Sequence, residues 1–371
     1  MIYLIAGARP NFMKIAPIVW EFQQRAFEDY RVIHTGQHYD YEMSQAFFMD
    51  LDLEVPDYFL DAGSGTHAAQ TARVMTAFEE ICLDQRPDLV VVVGDVNSTL
   101  AASLTAIKLH IPVAHIEAGL RSFDKTMPEE VNRLLTDHLS DILFVTEESG
   151  MTNLVREGID ASRAHLVGNV MIDSLKGILD RTASVEAPGS DYLLATIHRP
   201  ANVDDADNLK TILDILVDSA KQYPIIFPAH PRTLKKIREF GFDRLFTLHD
   251  DPGDVQEETL EPSVIHLIPP LGYIQFIAYL KSASGVITDS GGIQSETTYL
   301  GVPCLTLRER TEIIVSVEMG TNTLVGTDRG KVEKAVRDIS RGMYKKGEMP
   351  PLWDGGAGKR IVDILIDSMS E

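Results

Sequence analysis

The sequence has little of what marks a secreted, membrane-spanning or metal-binding protein. Its 371 residues include two cysteines, Cys82 and Cys304, with no metal-ligand spacing, so we expect both to be buried as small hydrophobes. No apolar run approaches the length of a membrane span. The opening MIYLIAGARP lacks a basic region and a cleavage pattern, so we expect no signal peptide.

Positive charge is also scarce. Lysine and arginine total 34 against 55 aspartates and glutamates, which gives a formal net charge of −21. A nucleic-acid-binding protein carries the opposite balance or a basic stripe, and this sequence has neither, so we expect no nucleic-acid partner. The acidic balance favours a soluble, cytoplasmic protein, and an anionic substrate would have to meet local cationic groups.

Short apolar runs that alternate with helical segments dominate the chain. The runs cover residues 2–6, 31–35, 89–93, 112–116, 142–145, 193–197, 224–227, 264–268, 285–288 and 303–307. Most are apolar throughout, which is typical of strands buried on both faces and therefore of parallel sheets. Helical patterns such as 71–84 and 208–222 lie between the runs, and the alternation predicts an α/β fold with doubly wound sheets.

The length and the rhythm of the pattern predict two domains. A chain of 371 residues is too long for one ordinary domain, and the pattern loosens around residues 160–190. We expect an N-terminal domain at 1–170 and a C-terminal domain at 171–357, each with its own parallel sheet, facing each other across a cleft. The tail, 358–371, reads as a helix that packs back on the first domain.

Ligands of open parallel sheets bind beyond the carboxyl ends of the strands, so the residues that follow each run matter most. Asp-Ser-Gly-Gly at 289–292 ends one run and opens a helix, and the free N–H groups of such a helix start attract an anion. Arg9 and Lys14 lie beside the start of the first helix, without a Rossmann glycine fingerprint or a P-loop. They suit a phosphate there, or are solvated charges at a helix end.

Carboxylates follow the runs of the first half. Asp95 could simply cap the next helix, whereas Glu117 stands at the tip of a buried run, where it is costly to bury without a partner. Glu129 and Glu130 begin a helix after a proline, and the helix dipole alone would explain them.

In the second half, His198 and His230 each follow a run and stand near an arginine. If the halves face each other, the carboxylates of the first half lie opposite the histidines, arginines and anion-binding turn of the second half. Such a cleft suits chemistry on a small substrate that carries a phosphate.

Eight motifs in this order carry a resemblance to a known family. They are GARPNFMKIAP, GQH, GDVNST, HIEAGLRS, PEEVNR, HRPAN, PAHPRT and DSGGIQSE, and the resemblance that they carry runs from residue 6 to about residue 328. Together they resemble the non-hydrolysing UDP-N-acetylglucosamine 2-epimerases. The resemblance implies the glycosyltransferase-B architecture, with two Rossmann-like domains and the active site between them. It also implies interconversion of UDP-GlcNAc and UDP-ManNAc by elimination of UDP to 2-acetamidoglucal and readdition, with no nicotinamide and no metal.

The resemblance further assigns roles to residues at the matching positions. The diphosphate is expected over the N–H groups of the helix start, and the C2 proton is expected to be moved by two groups, one on each face of the sugar. The implied acid/base candidates are Asp95, Glu117, Glu129 and His198. The implied UDP-binding residues are Arg9, Lys14, His230, Phe276 in the uridine pocket, Ser290, Gly291, Gly292, and Glu296 on the ribose. Gln37 and His38 match a region where relatives bind a second UDP-GlcNAc as an activator.

Two departures from the family pattern leave the exact sugar open. Ala201 stands where relatives usually have glutamate, and Ile313-Ile314 stand where they usually have Arg-Pro. The alternatives are a 2-epimerase of a modified UDP-GlcNAc such as a diacetamido uronate, a hydrolysing epimerase, a glycosyltransferase of the same architecture, and a sugar-nucleotide sensor without catalysis. The resemblance also implies a homodimer and a product used in surface-glycan synthesis.

Overall fold

The computed structural model describes residues 1–7, 9–36, 48–189 and 191–369, and it divides the chain into two compact units. The first unit comprises Met1–Gly177 and Pro351–Glu371, and the second comprises Ile178–Pro350. Each unit has its own sheet, its own flanking helices and its own apolar core.

The first unit is built on a parallel sheet of seven described strands, in the order β3-β2-β1-β4-β5-β6-β7. These strands are β1 (Ile2–Ala6), β2 (Tyr30–His34), β3 (Tyr58–Phe59), β4 (Leu89–Val93), β5 (Val113–Ala118), β6 (Ile142–Val145) and β7 (Ala164–Leu166). The strands β1 and β4 are buried over their whole length, because their sequences IYLIA and LVVVV offer apolar side chains to both faces.

Helices cover the first sheet on both sides, as expected for a doubly wound fold. They are α1 (Arg9–Gln24), α2 (His67–Asp84), α3 (Asn97–Lys108), α4 (Pro128–Leu139), α5 (Glu148–Arg156) and α6 (Val170–Ile178). Helix α2 buries Val74, Phe78 and Cys82, which recur at helical spacing. Helix α4 buries mainly polar side chains, and these belong to the candidate site described below.

The second unit repeats this architecture, with described strands in the order β10-β11-β9-β8-β12-β13-β14. These are β8 (Leu193–Thr196), β9 (Ile225–Pro228), β10 (Thr247–Leu248), β11 (Ile265–Ile268), β12 (Gly285–Thr288), β13 (Cys304–Thr306) and β14 (Asn322–Leu324). The helices are α7 (Pro200–Val203), α8 (Ala206–Ala220), α9 (Pro231–Glu239), α10 (Tyr273–Ser282), α11 (Gly291–Leu300), α12 (Ile314–Glu318) and α13 (Arg329–Ser340). All pairings between the described strands of both sheets are parallel, which confirms the predicted fold class.

The last helix, α14 (Ala357–Ser368), belongs to the first unit. Its Gly358 lies against Pro17 of α1, where a Cβ would come within 2.9 Å of the proline side chain. The Gly358 N–H donates to Asp173 Oδ1 at 2.7 Å, and Arg25 pairs with Asp363 at 2.7 Å. The chain end is therefore fixed to α1 and α6 by a close backbone approach, a helix cap and an ion pair.

The ten apolar runs in the sequence all form strands, and the four strands without such a run are the edges of the two sheets. They are β3, β7, β10 and β14, each two or three residues long. An edge strand pairs on one side only and is partly exposed, so it needs neither the length nor the apolar content of a central strand. For that reason these four carry no clear sequence signal.

Candidate active site

The turn after β12 leads directly into α11, as the sequence predicts. The Ser290 N–H donates to Thr288 Oγ1 at 3.0 Å. The N–H groups of Gly291 and Gly292 belong to the first helical turn, which has no intrahelical acceptors for them. A Cβ on Gly291 would lie 2.7 Å from Glu312 Oε1, so glycine allows a carboxylate to approach the helix end. In this conformation the two glycine N–H groups, rather than that of Ser290, can receive an anion.

Two arginines lie beside this helix end and share the Glu312 carboxylate. Arg308 Nη2 is 2.6 Å from Glu312 Oε2, and Arg199 Nη2 is 4.0 Å from Glu312 Oε1. Two guanidinium groups therefore lie next to the positive end of the helix dipole, where cationic groups favour an anion. Arg308 has no distinguishing signal in the sequence, where it is one of several charged residues after the 303–307 run.

Asp289, the first residue of the Asp-Ser-Gly-Gly turn, points away from solvent and is fully buried. Its carboxylate accepts hydrogen bonds from the N–H of His198 at 3.1 Å, the N–H of Arg199 at 2.9 Å and Asn202 Nδ2 at 2.9 Å. Arg199 Nε donates back to the Asp289 carbonyl at 2.8 Å. Asp289 therefore holds the His-Arg-Pro-Ala-Asn loop against the turn that opens α11.

The two histidines of the second unit are neighbours. The centres of the His198 and His230 rings are 6.2 Å apart, at the carboxyl ends of β8 and β9. His198 Nδ1 is 3.5 Å from Asp289 Oδ1, and 44% of its side chain is exposed. His230 Nδ1 accepts a hydrogen bond from the N–H of Arg232 at 3.2 Å and so caps α9. Both rings thus have a fixed orientation on one side and an accessible face on the other.

Glu296 lies on α11, one and a half turns after Gly291, and is 4% exposed. Tyr273 donates its hydroxyl to Glu296 Oε1 at 3.0 Å. Burial raises the pKa of Glu296 to about 7, although the hydrogen bond from Tyr273 acts in the opposite direction. Phe276 lies one turn after Tyr273 on α10 and is half-buried. Helices α10 and α11 thus carry three groups of different chemistry: the Glu296 carboxylate, the Tyr273 phenol and the Phe276 ring.

In the first unit, Glu117 is held in a strained backbone conformation. Its φ is +73°, in the left-handed region that residues other than glycine rarely adopt, and the pairing of β5 with β6 shifts register between Ile116 and Ala118. The bulge directs its carboxylate to Lys14 on α1, with which it forms an ion pair. Burial alone would lower the pKa of Lys14, but Glu117 and Asp95 outweigh it and raise that pKa.

Asp95 follows β4 and is held by α4. Arg133 Nη2 donates to Asp95 Oδ2 at 2.6 Å, and Asn132 Nδ2 donates to the Asp95 carbonyl at 2.9 Å. The Asp95 side chain is 26% exposed, whereas that of Arg133 is 4% exposed. Asp95 does not cap α3, whose N-cap is Val96 and has no side-chain hydrogen bond. The first unit therefore presents two carboxylates, Asp95 and Glu117, each paired with a cation.

The two glutamates at the start of α4 have different environments. Glu130 is buried and accepts hydrogen bonds from the N–H groups of Ser122 and Phe123, both at 2.9 Å, and from Arg133 at 2.6 Å. Glu129 is exposed at the first turn of the helix. Glu130 therefore fixes the chain that precedes α4, and Glu129 is the one whose carboxylate a solute can reach.

A buried network lies beneath these groups and carries no obvious sequence signal. His115 Nδ1 is 2.7 Å from Asp137 Oδ1, Arg121 Nη2 is 2.7 Å from Asp137 Oδ2, and Arg121 also pairs with Glu157 at 2.6 Å. Burial by itself would raise the pKa of Asp137, but His115 and Arg121 hold it below its usual value. The only hint in the sequence is a histidine in the middle of an otherwise apolar run.

Some predicted positions are described in part or not at all. Helix α1 begins at Arg9, but the Arg9 side chain, like the whole of Gln37 and His38, lies outside the described residues. Ala201 is exposed on α7, and Ile313 is 9% exposed at the start of α12. Within the described ranges, no group of three or more His, Cys, Asp or Glu side chains could hold a metal ion. Over the same ranges, no helix combines the length and apolar content needed to cross a membrane.

The arrangement matches one family of nucleotide-sugar enzymes. The family model described as UDP-N-acetylglucosamine 2-epimerase matches residues 21–366, nearly the whole chain. The chain belongs to the UDP-N-acetylglucosamine 2-epimerase family. The resemblance carried by the eight motifs is thereby confirmed at the level of the family.

Individual relatives are similar over their whole length. A UDP-N-acetylglucosamine 2-epimerase of Methanocaldococcus jannaschii is 42% identical, with 98% of each chain covered. A UDP-2,3-diacetamido-2,3-dideoxy-D-glucuronate 2-epimerase of Pseudomonas aeruginosa is 39% identical, with 98% of this chain and 99% of the relative covered. A crystal structure of the M. jannaschii UDP-GlcNAc 2-epimerase in complex with UDP-GlcNAc and UDP has a TM-score of 0.88, is 40% identical and covers 99% of each chain.

Proposed function

We propose that this chain catalyses the reversible C2 epimerisation of UDP-GlcNAc to UDP-ManNAc, through elimination of UDP and its readdition without release. The observation that carries the proposal is the first unit's pair of cation-held carboxylates, Glu117 on Lys14 and Asp95 on Arg133. A sugar epimerase needs positioned groups that remove and return a proton, which a simple nucleotide-binding domain does not. Family membership adds to this, because relatives with this name cover the whole chain.

The second unit would bind UDP. We assign the diphosphate to the N–H groups of Gly291 and Gly292, with Ser290 closing the turn and Arg199 and Arg308 supplying positive charge. As the bond to C1 breaks, charge accumulates on the leaving UDP, and donors that are already oriented stabilise this transition state.

The remaining UDP contacts follow from the chemistry of the side chains. We assign Glu296 to the ribose hydroxyls, because Tyr273 occupies one of its two oxygens and leaves acceptor capacity on the other. Phe276 is assigned to the uridine face, and His230 to the diphosphate end of the site. Lys14 and Arg9 are proposed to assist, Lys14 from its position on Glu117.

The acid and base are proposed to come from Asp95, Glu117, Glu129 and His198. The C2 proton has no neighbouring carbonyl to acidify it, so its removal must be coupled to departure of UDP from C1. One group then takes the proton from one face of C2, and a second group delivers a proton to the other face as UDP adds back.

A modified UDP-sugar is the second candidate substrate. The P. aeruginosa relative is named for a diacetamido uronate and is nearly as similar to this chain as the M. jannaschii enzyme. Ala201 and Ile313 replace the charged residues that the motif comparison expects, which alters the polarity that a sugar substituent would meet. A uronate also carries an additional carboxylate, so a preference for it should appear as a lower KM that rises with salt.

Product analysis tests the proposal directly. Purified protein is incubated with UDP-GlcNAc, and in parallel with the diacetamido uronate, and the products are separated by ion-exchange chromatography. UDP-ManNAc from the first incubation supports the proposal, whereas free ManNAc with UDP assigns the chain to the hydrolysing enzymes. Turnover of the uronate alone would replace the proposed substrate, and absence of any epimer from either sugar would contradict the proposal.

We also propose a homodimer that works in the cytoplasm and supplies surface-glycan synthesis. Helix α4 carries two apolar side chains, Val131 and Leu135, that are 41% and 47% exposed in the single chain. Light scattering tests the assembly, and a mass of 41.1 kDa, that of one chain, would contradict it.

A further inference from the structure

His115 lies inside the first unit, on β5, and its side chain is fully buried. Its ring makes two polar contacts, one from each nitrogen. Nε2 is 2.8 Å from the carbonyl oxygen of Gly94, at the end of β4. Nδ1 is 2.7 Å from Oδ1 of Asp137, on α4.

The partners determine the protonation state of the ring. A carbonyl oxygen only accepts hydrogen bonds, so Nε2 must carry a hydrogen. The Asp137 carboxylate is kept ionised by the ion pair with Arg121 and by the Gly119 N–H, which donates to Oδ2 at 3.0 Å. An ionised carboxylate also only accepts, so Nδ1 must carry a hydrogen as well, and the ring is an imidazolium.

The three hydrogen bonds connect the two turns that bear the candidate catalytic carboxylates. Gly94 immediately precedes Asp95, and Gly119 comes two residues after Glu117. The chain of contacts runs from the Gly94 carbonyl through His115 and Asp137 to the Gly119 N–H. The left-handed backbone at Glu117 is strained and persists only where its surroundings hold it.

The turn at Gly94 also supports the ion pair above it. A Cβ on Gly94 would lie 2.8 Å from Lys14 Nζ and 3.5 Å from Glu117 Oε2. A small displacement of the Gly94 turn would therefore move Asp95 and, at the same time, the lysine that orients Glu117.

We propose that His115 is a positioning residue, which as an imidazolium ties the Gly94 turn to the Glu117 bulge and so sets the spacing of the Asp95 and Glu117 carboxylates. The inference rests on the proposed epimerase function, since it assigns His115 to that site. His115 does not contact the substrate. It therefore affects the rate of the chemical step and leaves UDP binding unchanged.

The test compares His115→Gln with a matched control, His165→Gln. Glutamine can donate to one of the two acceptors but cannot reproduce the rigid, charged, two-ended bridge. For His115→Gln we expect kcat to fall about 10- to 100-fold, because a displacement of about 1 Å at a reacting group has an effect of this size. KM and the Kd for UDP should stay within about threefold of the wild-type values. His165 is a half-buried histidine on β7 of the same sheet, and its variant should keep kcat within about twofold.

A second measurement does not depend on activity or on the variant folding. In wild-type protein labelled with 15N at histidine, both His115 ring nitrogens should show the chemical shifts of protonated imidazolium nitrogens. An unprotonated nitrogen in the His115 ring, or a His115→Gln variant with wild-type kcat, would overturn the proposal. So would equal losses of kcat and UDP affinity. If the protein epimerises no sugar, the proposed function fails while the NMR result still decides the state of the bridge.

Discussion

The buried carboxylate of Asp289 accepts a hydrogen bond from the backbone N–H of Arg199 at 2.9 Å, so the first residue of the Asp-Ser-Gly-Gly turn is bound by protein donors. The same carboxylate receives the N–H of His198 and the side chain of Asn202. One buried anion thus couples the turn that would receive the diphosphate to the loop that carries a candidate acid or base.

Replacing Asp289 with asparagine should therefore damage catalysis more than UDP binding. The amide presents one oxygen and two N–H groups where the native carboxylate accepts from three donors, so at least one donor loses its acceptor. We expect kcat to fall about 10- to 100-fold and the free energy of unfolding to fall by about 2–4 kcal/mol, because a buried network is broken. Steady-state kinetics and urea denaturation measure the two effects.

Asp250→Asn is the control for this substitution, because Asp250 is an exposed carboxylate in the same unit. Its kcat and stability should match wild type. An Asp289→Asn variant whose kcat stays within about twofold of wild type would show that the position of the His198 loop does not depend on the Asp289 carboxylate.

Glu296 predicts a pH dependence of stability in the ligand-free protein. Its pKa is raised from 4.5 to about 7 by burial, so the folded state holds the proton more tightly than the unfolded state does. The free energy of unfolding therefore falls as pH rises from about 4.5 to 7, by up to about 3 kcal/mol, and the loss is complete above pH 7. Glu296→Gln cannot ionise, so its stability relative to wild type should increase between pH 5 and pH 8.

Urea denaturation of wild type, Glu296→Gln and the exposed-site control Glu348→Gln at pH 5 and pH 8 checks this. The control should show no change in relative stability between the two pH values. If the free energies of unfolding of Glu296→Gln and wild type differ by the same amount at both pH values, Glu296 is already ionised in the folded protein at pH 5. The same variant should weaken UDP binding, since a neutral amide is a poorer acceptor for ribose hydroxyls.

Gly94→Ala tests the packing beneath the Lys14–Glu117 pair. The new Cβ would lie 2.8 Å from Lys14 Nζ, so the lysine must move and the orientation of Glu117 with it. Gly94 also has a φ of +66°, which by itself costs an L-residue about 1–2 kcal/mol. We expect kcat to fall at least about tenfold, with the Kd for UDP unchanged, measured by steady-state kinetics and calorimetry.

Gly158→Ala separates the contact from the backbone strain. Gly158 has a similar φ of +82°, but a Cβ there would meet nothing within 4 Å. This variant should lose comparable stability through strain while keeping wild-type kcat. Equal activity of the two variants would mean that the Lys14–Glu117 geometry does not matter for turnover.

Gly291→Ala should weaken UDP binding. The added Cβ would lie 2.7 Å from Glu312 Oε1 and 4.0 Å from Arg308 Nη1, so it displaces the ion pair beside the helix end. We expect the Kd for UDP to rise about tenfold, or about 1.4 kcal/mol, by calorimetry. Gly330→Ala, in the first turn of α13 and 3.3 Å from Asp328 Oδ1, is the control and should leave the Kd unchanged.

The sequence predicted the fold well because the central strands are apolar over their whole length, and the four edge strands escaped prediction because they are short and half-exposed. The motifs also located Asp95, Glu117 and the start of α11. What could not be predicted is the direction in which a polar side chain points. Asp289, Glu130 and His115 lie in motifs that look like binding sites. Each of these side chains is nevertheless buried and makes its hydrogen bonds to other groups of the protein.

Proton NMR of the purified protein with UDP-GlcNAc in D2O tests the proposed elimination and readdition of UDP directly. Elimination and readdition remove the C2 proton and deliver another from a group that exchanges with solvent. UDP-ManNAc should appear with deuterium at C2, and the UDP-GlcNAc pool should slowly acquire deuterium at the same carbon. UDP-ManNAc that keeps its original C2 proton, or no epimer although UDP binds, would contradict this mechanism.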